Sequence, residues 1–490
     1  MSTSKSAVAP APRRRGLGIW MATALVIGNM IGSGIFLLPS SLASYGGVSL
    51  VGWLFTATGA ILLALVFARL GRAFPKTGGP YAYSRRAFGD FVGFLTAWGY
   101  WIAAWVGNAA IAVAFVSYLG YFSAFDELNT NRPLAAAVAI GAIWLLTFIN
   151  ILGVRQGGWT QAVTTVLKLV PLVGLAVFGL FFIHGDNFGG FNPSGGSAYG
   201  AVTAVAALTL WAFIGVESAT VPAGDVDNPR RSIPRATVIG TVVTALVYIA
   251  GTTAVMGILP AAKLADSGAP FADAADTAFG TWAGPVIAGA AIISAFGCLN
   301  GWILLQGQVP LAAARDGLFP KAFAKTTRSG APIVGLIVSS LLITGLTVMN
   351  YNASLVDQFT FVILLATLTT LIPYVFSAAA QLMLLVTDRA QFDAKRLAGH
   401  VTVAALALAY GIWTVAGSGY QVVYRGFLLL LLGIPVFLWM KYAAARRGER
   451  VVATGVAESL STHGAGALMP PDMDAAIVEV IEVEQRKLHN

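Results

Sequence analysis

The stretch VIGNMIGSGIFLLP, residues 26–39, decides the fold of this protein. It belongs to a long apolar run, yet it carries Gly28, Gly32 and Gly34 within seven positions. Each glycine costs a helix interior about 1 kcal/mol relative to alanine. A helix that crosses lipid satisfies its backbone groups internally, and irregular backbone at that depth occurs only where it is buried in protein or lines a cavity. The stretch therefore predicts an interrupted membrane helix.

The composition identifies the surrounding solvent as lipid. Of the 490 residues, 57% are hydrophobic and 10% are charged, whereas soluble domains carry about 25% charged residues. The chain has one cysteine, Cys298, so no intramolecular disulfide forms. Its four histidines show no metal-pair spacing, and no nucleophile motif is present. We therefore predict an integral membrane protein that is not an enzyme and needs neither metal nor cofactor.

Apolar stretches of about 20 residues recur twelve times. They lie near residues 17–44, 48–72, 90–122, 133–152, 158–184, 198–224, 234–259, 279–314, 331–350, 357–386, 398–418 and 421–443. The basic N-terminus precedes an apolar run that is followed by many others, so we interpret the first helix as retained rather than as a cleaved signal. The predicted domains are an N-terminal tail (1–16), a twelve-helix domain (17–443) and a polar C-terminal tail (444–490).

The basic residues predict the orientation in the membrane, because cytoplasmic loops are enriched in Lys and Arg. With both termini inside, the inner segments hold 26 of the 30 basic residues. The outer loops hold Arg132, Lys263 and Arg425, and Lys168 lies within an apolar stretch. The net charge of +9 is therefore a topology signal and does not indicate a nucleic-acid partner. We expect a multi-pass protein of a bacterial-type inner membrane.

A second interruption is predicted in LTLWAFIGVESATVPAGDV, residues 208–226, where Gly215 and Ser218 flank Glu217. The two interruptions open the first and sixth stretches, which predicts a 5+5 inverted repeat of residues 17–184 and 198–386, with extra helices in 398–443. Matched interruptions in two halves indicate a transporter's central site. Freed amides attract a carboxylate and freed carbonyls an ammonium, so the two ends would clamp an amino acid. The alternative is that the glycines only permit close helix packing.

Several stretches carry a family resemblance, in order along the chain: GNMIGSGIFLLPSSLASYGG, GGPYAYSRRAFG, YWIAAWVGN, LWAFIGVESA, NPRRSIP and GCLNGWILLQGQ. They resemble the amino acid–polyamine–organocation superfamily, within it the basic amino acid/polyamine antiporters, and most closely the bacterial arginine/agmatine exchangers. The resemblance covers about residues 15–445. It implies an all-α transporter that works by alternating access, and a homodimer as one expected state.

The resemblance also implies nine substrate-binding residues: Met30, Ser33, Gly34, Tyr100, Ala104, Asn108, Trp211, Ile214 and Trp302. In that family Ser33 and Gly34 correspond to the carboxylate site, and Met30, Trp211 and Ile214 to main-chain carbonyls that meet the α-amino group. Tyr100, Trp211 and Trp302 correspond to aromatic walls, with Trp302 stacked on the guanidinium. Asn108 corresponds to a side-chain contact; on its own, an asparagine here could equally bond a neighbouring helix.

The sequence departs from the arginine/agmatine pattern at the far end of the pocket. Ala104 and Ile111 stand where those exchangers have a cysteine and a methionine, and Leu364 or Ala366 stands near the position of a serine. Because a site built around polar contacts discriminates by them, these changes weaken the expectation of a guanidinium. They leave the preferred side chain of the substrate open.

Three further residues are implied in proton coupling or pH sensing: Glu217, Lys168 and Tyr81. Glu217 matches a carboxylate linked to protons; the alternative is a structural carboxylate bonded to backbone amides. Lys168 resembles a fifth-helix lysine of other branches, whose ammonium takes the place of sodium; the alternative is snorkelling toward an interface. Tyr81 matches a cytoplasmic-side tyrosine linked to pH, although an interfacial tyrosine and a shift to Tyr83 remain open.

The sequence thus predicts a secondary transporter that exchanges an amino acid for a related amino acid or its decarboxylated amine, with arginine and agmatine as the precedent. The alternative within transporters is proton-coupled uptake of broader or neutral amino acids. A membrane enzyme and a sensor that binds without transport are the remaining alternatives. The expected partners are the small-molecule substrate and the lipid bilayer.

Overall fold

The computed structural model describes residues 17–76, 78–152, 158–221, 223, 226–350 and 353–446. Across these residues the chain is helical, and its β-type pairing is confined to one isolated bridge between Leu17 and Val226. The predicted N-terminal tail (1–16) lies outside the described residues, as does the predicted C-terminal tail beyond Arg446.

The described chain contains eighteen α-helices. They are α1 (Ile19–Met30), α2 (Gly34–Leu42), α3 (Val48–Ala73), α4 (Pro80–Phe88), α5 (Asp90–Leu119), α6 (Glu127–Thr130), α7 (Arg132–Leu152), α8 (Gly158–Phe178), α9 (Ala198–Leu210), α10 (Pro229–Ile258), α11 (Ala261–Ala265), α12 (Pro270–Phe279), α13 (Ala283–Arg315), α14 (Ile333–Asn350), α15 (Leu355–Thr387), α16 (Leu397–Val415), α17 (Tyr420–Leu431) and α18 (Gly433–Arg446).

Nine segments of the described chain are long and apolar enough to cross a membrane. Three shorter apolar helices cover Lys168–Phe182, Ala198–Phe213 and Ile333–Met349. Each of these twelve segments overlaps one predicted apolar stretch, so the prediction of an all-helical, multi-span membrane protein is confirmed. The number of twelve crossings and the inverted repeat remain predictions.

The helix α5 lies at the centre of the bundle, where it packs against α13 and α15. In its most apolar window 89% of the residues are buried, because protein surrounds the helix and little of it faces lipid. The interrupted pair α1 and α2 lies beside this centre, with α1 packed on α10 and α8. This arrangement places the break between α1 and α2 in the protein interior.

Small residues bring the helices around the break close together. A Cβ added at Gly240 of α10 would lie 2.7 Å from Val26 of α1, and one at Gly52 of α3 would lie 2.2 Å from Val205 of α9. Lipid tails are as apolar as the side chains, so helix association in membranes depends on such close packing. These two contacts hold the interrupted helices against the uninterrupted ones.

Candidate functional site

The first interruption spans residues 31–33, between the end of α1 at Met30 and the start of α2 at Gly34. Glycine is required here by packing. A Cβ at Gly32 would lie 2.3 Å from Sγ of Cys298, and a Cβ at Gly34 would lie 3.1 Å from the Trp211 indole. The chain is therefore interrupted as predicted, and the glycines also serve the close packing that was the alternative.

The carbonyl groups freed at the end of α1 are bonded by side chains from other helices. The Lys168 ammonium donates to the carbonyl oxygen of Gly28 over 2.7 Å and also to that of Ile31. The Tyr248 hydroxyl donates to the carbonyl oxygen of Met30 over 2.6 Å. A buried carbonyl without a donor is costly in lipid, so these two side chains stabilise the interrupted conformation.

The second interruption follows α9, which ends at Leu210 and continues as a short 3₁₀ turn over Trp211–Phe213. Ile214 is extended, and Gly215 has φ +109°, which side-chain-bearing residues rarely adopt. The two interruptions are joined directly, because the Asn29 side-chain amide donates to the Ser218 hydroxyl over 2.9 Å.

A small cavity lies where the two interruptions meet. Its lining residues are Asn29, Met30, Gly32, Ser33, Gly34, Ala103, Gly107, Ile111, Trp211, Ile214, Cys298 and Trp302. Its volume is about 20 Å³, which is room for a water molecule. A substrate of amino-acid size therefore requires the wall to move, and the two tryptophans are its largest side chains.

The polar character of the cavity comes from backbone and from few side chains. The Ser33 hydroxyl is buried, and within the described residues it has no hydrogen-bond partner. Ser33 and Gly34 form the N-terminal end of α2, whose first amide groups lack intrahelical acceptors. None of the lining residues carries a charge. The arrangement can bind a carboxylate at the helix end and an apolar or aromatic-stacking group at the tryptophans.

The structure brings six of the nine predicted substrate-binding residues into this cavity: Met30, Ser33, Gly34, Trp211, Ile214 and Trp302. The other three, Tyr100, Ala104 and Asn108, belong to α5 but not to the lining. Ala103, Gly107 and Ile111 represent α5 there instead. The Asn108 amide donates to Oε1 of Gln306 in α13 over 2.7 Å, which is the interhelical bond named as its alternative.

Glu217 is fully buried next to the second interruption, where three donors surround its carboxylate. The Tyr100 hydroxyl donates to Oε1 over 2.5 Å, and the Tyr374 hydroxyl donates to Oε2 over 2.6 Å. The backbone amide of Gly215 also donates to Oε2, over 3.3 Å. Through these contacts the carboxylate ties the second interruption to α5 and α15. Of the backbone amides expected to bond Glu217 in the structural alternative, one is present, that of Gly215, and two tyrosine hydroxyls donate as well.

Tyr81 lies on α4, away from the cavity. Its hydroxyl donates to Oδ2 of Asp316, which follows the end of α13, over 3.1 Å. Burial, and then the nearby Asp316 carboxylate, raise the pKa of the Tyr81 hydroxyl above its usual range. The hydroxyl therefore stays protonated at physiological pH.

Sequence reasoning missed several residues that the structure brings to this region: Asn29, Ala103, Gly107, Tyr248, Cys298 and Tyr374. The four-residue spacing of Ala103, Gly107 and Ile111 is the helical signal that would have identified the α5 face. Tyr248 and Tyr374 give no such signal, because their partners lie on distant segments. In the described part of the chain no group of three or more His, Cys, Asp and Glu residues could hold a metal ion.

Comparisons with known proteins agree with this geometry. The family model described as "Amino acid permease" matches residues 17–443. The cadaverine/lysine antiporter of Escherichia coli (strain K12) is 39% identical over 74% of this chain and 82% of its own length. The putrescine transporter PotE of Haemophilus influenzae is 34% identical over 87% of this chain and 97% of its own length. PotE of Escherichia coli (strain K12) is 33% identical, over 86% and 95%.

The helical fold, the cavity between two interrupted helices and these matches lead to one conclusion. The chain belongs to the amino acid permease family, among the basic amino acid/polyamine antiporters of the amino acid–polyamine–organocation superfamily, and it is a multi-pass membrane transporter and not an enzyme.

Proposed function

We propose that this protein exchanges a cationic amino acid for its decarboxylated amine, with lysine and cadaverine as the first pair and arginine and agmatine as the second. The observation that carries the proposal is the cavity at the meeting point of two interrupted helices, lined by backbone at one end and by Trp211 and Trp302. The names of the relatives, a cadaverine/lysine antiporter and putrescine transporters, support an amine substrate.

The backbone end of the cavity suits the amino-acid head group. The carboxylate would bind at the start of α2, at Ser33 and Gly34, where amide groups and the unpartnered Ser33 hydroxyl are available. The Met30 carbonyl already accepts from Tyr248 and from the Gly32 amide. The Trp211 carbonyl accepts one bond, from the Ile214 amide, and keeps a second lone pair, so we assign the α-amino group mainly to the carbonyls of Trp211 and Ile214. A decarboxylated amine would leave the α2 end unoccupied.

The distal end favours a simple ammonium over a guanidinium. A cation over a tryptophan face gains about 0.5–2 kcal/mol, which Trp211 and Trp302 could supply to either group. A guanidinium carries five donors and an ammonium three. The α5 wall contributes Ala103, Gly107 and Ile111, none of which offers a side-chain acceptor. An aliphatic amine therefore leaves fewer donors unpaired than an arginine side chain does.

Coupling is proposed to be independent of sodium. The Lys168 ammonium occupies the carbonyls of Gly28 and Ile31 at the first interruption, where a sodium ion would otherwise find its ligands. Glu217 is assigned to proton or pH linkage, since its contacts with Tyr100 and Tyr374 join the second interruption to α5 and α15, and we expect these elements to separate when the cavity widens. Both termini in the cytoplasm, an inner-membrane location and a homodimer complete the proposal.

A second candidate function is proton-coupled uptake of neutral amino acids. One observation favours it: the cavity lining contains no charged side chain to neutralise a substrate cation. Lys168 is compatible with this function as well. The two functions differ in the need for a counter-substrate, because only an exchanger requires substrate on both sides of the membrane.

Counterflow in proteoliposomes tests the proposal. Vesicles loaded with unlabelled lysine are diluted into trace labelled cadaverine, with empty vesicles and protein-free vesicles as matched controls. We expect label to accumulate only in the lysine-loaded proteoliposomes and to do so equally in sodium and choline buffers. Accumulation in empty proteoliposomes driven by a pH gradient would favour the permease. Binding of cadaverine without any accumulation would indicate a sensor.

A further inference from the structure

A continuous chain of buried hydrogen bonds runs from α7 to α5, one of the helices that line the cavity. The Thr147 hydroxyl donates to the Ile143 carbonyl over 2.7 Å and lies 2.6 Å from the Ser340 hydroxyl. The Gln306 amide nitrogen lies 3.3 Å from the same Ser340 oxygen, and Asn108 donates to Oε1 of Gln306. All five residues have no exposed surface, so water does not compete for these bonds.

The direction of every hydrogen bond in this chain is fixed by its α7 end. The Ile143 carbonyl can only accept, so the one hydroxyl proton of Thr147 is donated to it. Ser340 must then donate to Thr147, and its oxygen must accept from the Gln306 NH₂ group. This leaves Oε1 of Gln306 as the acceptor for the Asn108 NH₂ group. The side-chain amide of Asn108 therefore has one orientation, with its NH₂ group toward Gln306, in which every hydrogen bond of the chain is made.

The hydrogen-bond chain ends at the side-chain oxygen of Asn108, which is an acceptor without a donor. Oδ1 of Asn108 is buried, and among the described residues no hydrogen-bond partner reaches it. Asn108 follows Gly107, which lines the cavity and packs so tightly on Trp211 that a Cβ there would lie 2.8 Å from the indole. Because the cavity holds only about 20 Å³, we expect substrate entry to displace this wall, and a movement of Trp211 away from Gly107 would open space next to Asn108.

We propose that Gln306 is a positioning residue that sets substrate specificity: with Ser340 and Thr147, it holds the Asn108 amide so that its oxygen, and not its NH₂ group, faces the distal end of the substrate. An oxygen in that place accepts from an ammonium and gains nothing from an apolar end. The inference rests on the proposed function, because it assumes a substrate that carries an amine. It adds to the expected role of Asn108 the residues that orient it.

The test compares two ligands that differ only at the distal end, lysine and norleucine, as competitors of labelled substrate in proteoliposome exchange. Ser340→Ala removes the acceptor of the Gln306 NH₂ group, so Gln306 is free to rotate and occupy Oδ1 of Asn108 itself. We expect lysine affinity to fall about tenfold and norleucine affinity to change less than about twofold. Gln306→Leu should shift the ratio of the two affinities in the same direction.

Three further variants separate a positioning role from structural damage. Ser340→Thr keeps the hydroxyl and should keep the wild-type ratio. Ser294→Ala is the matched control on α13, because its buried hydroxyl has no partner in the described part of the chain. The double variant Gln306→Leu/Asn108→Asp should regain the preference for lysine, since a carboxylate presents an acceptor in either orientation.

Measurements on the wild-type protein separate the proposed amine substrate from the positioning role of Gln306. A wild type that binds lysine no more tightly than norleucine overturns the amine substrate and the inference together. A wild type that prefers lysine, with unchanged ratios in Ser340→Ala and Gln306→Leu, overturns the positioning role alone. The positioning role is supported if the ratio of lysine to norleucine affinity is lower in Ser340→Ala and in Gln306→Leu. The same ratio should be at the wild-type level in Ser340→Thr and in the double variant.

Discussion

The two interruptions are stabilised by opposite charges. At the first, the Lys168 ammonium binds carbonyl groups at the C-terminal end of α1. At the second, the Glu217 carboxylate accepts from the Gly215 amide and from two tyrosines. Each charge has the sign that complements the backbone groups it meets.

The partners of the two charges differ, and this difference separates their roles. Lys168 is bonded by backbone of α1, so its removal leaves peptide groups unpaired at the interruption itself. Glu217 is bonded mainly by the side chains of Tyr100 and Tyr374, which belong to α5 and α15. The first charge therefore maintains a local conformation, whereas the second connects the interruption to two other helices, which we expect to move relative to it during transport.

The largest expected effect comes from filling the first interruption. Gly34→Leu should abolish measurable substrate binding while the protein still inserts, because even a Cβ there would press on the Trp211 indole at 3.1 Å. Binding is measured as ligand-induced thermal stabilisation. Gly141→Leu on α7 is the matched control, since a Cβ there meets no atom within 4 Å. Wild-type affinity in Gly34→Leu would show that the interruption serves packing alone.

Removal of the charge at the first interruption should have the next largest effect. Lys168→Met leaves two buried carbonyls without a donor, at about 1–3 kcal/mol for each unsatisfied group. We expect the exchange rate to fall by at least about tenfold. Lys263→Met, at an exposed position of the short helix α11, is the control for loss of a positive charge. A strong sodium requirement of the wild-type protein would contradict the assignment of Lys168 to the sodium position.

The charge at the second interruption should affect the pH profile more than binding. Glu217→Gln mimics the protonated carboxyl at nearly constant volume and keeps one acceptor oxygen for a tyrosine. We expect this variant to bind substrate and to lose most of the pH dependence of exchange between about pH 5 and pH 8. The measurement is exchange across a pH series beside the wild type. Parallel profiles at equal stability would remove Glu217 from the coupling mechanism.

The smallest effect concerns the bond that joins the two interruptions. Asn29→Ala and Ser218→Ala each remove the same hydrogen bond, so their effects on the free energy of substrate binding should not add. We expect a coupling energy of about 0.5–1.5 kcal/mol in a double-mutant cycle. A coupling energy near zero would mean that the two interruptions bind substrate independently.

Much of the fold was predictable because lipid imposes simple rules. Apolar length alone located the helical stretches, and the glycines of residues 26–39 and of the second interruption marked where the helices stop. The direct contacts of the site were less predictable. The resemblance placed Ala104, Asn108 and Ile111 of α5 at the pocket, whereas the cavity is lined by Ile111 together with Ala103 and Gly107. A shift of one residue along a helix turns the side chain by about 100°, and only packing against α13 and α15 sets that rotation.

The sequence by itself determined that this protein is an all-helical membrane transporter with two interrupted helices, because hydrophobic length and misplaced glycines are local properties of the chain. Only the tertiary structure decided which groups satisfy the interruptions and how Asn108 is oriented. Lys168 lies 137 residues from Ile31, Tyr374 lies 157 residues from Glu217, and Gln306 lies 198 residues from Asn108. Hydrogen bonds across such separations depend on how the helices pack, and no local pattern encodes them.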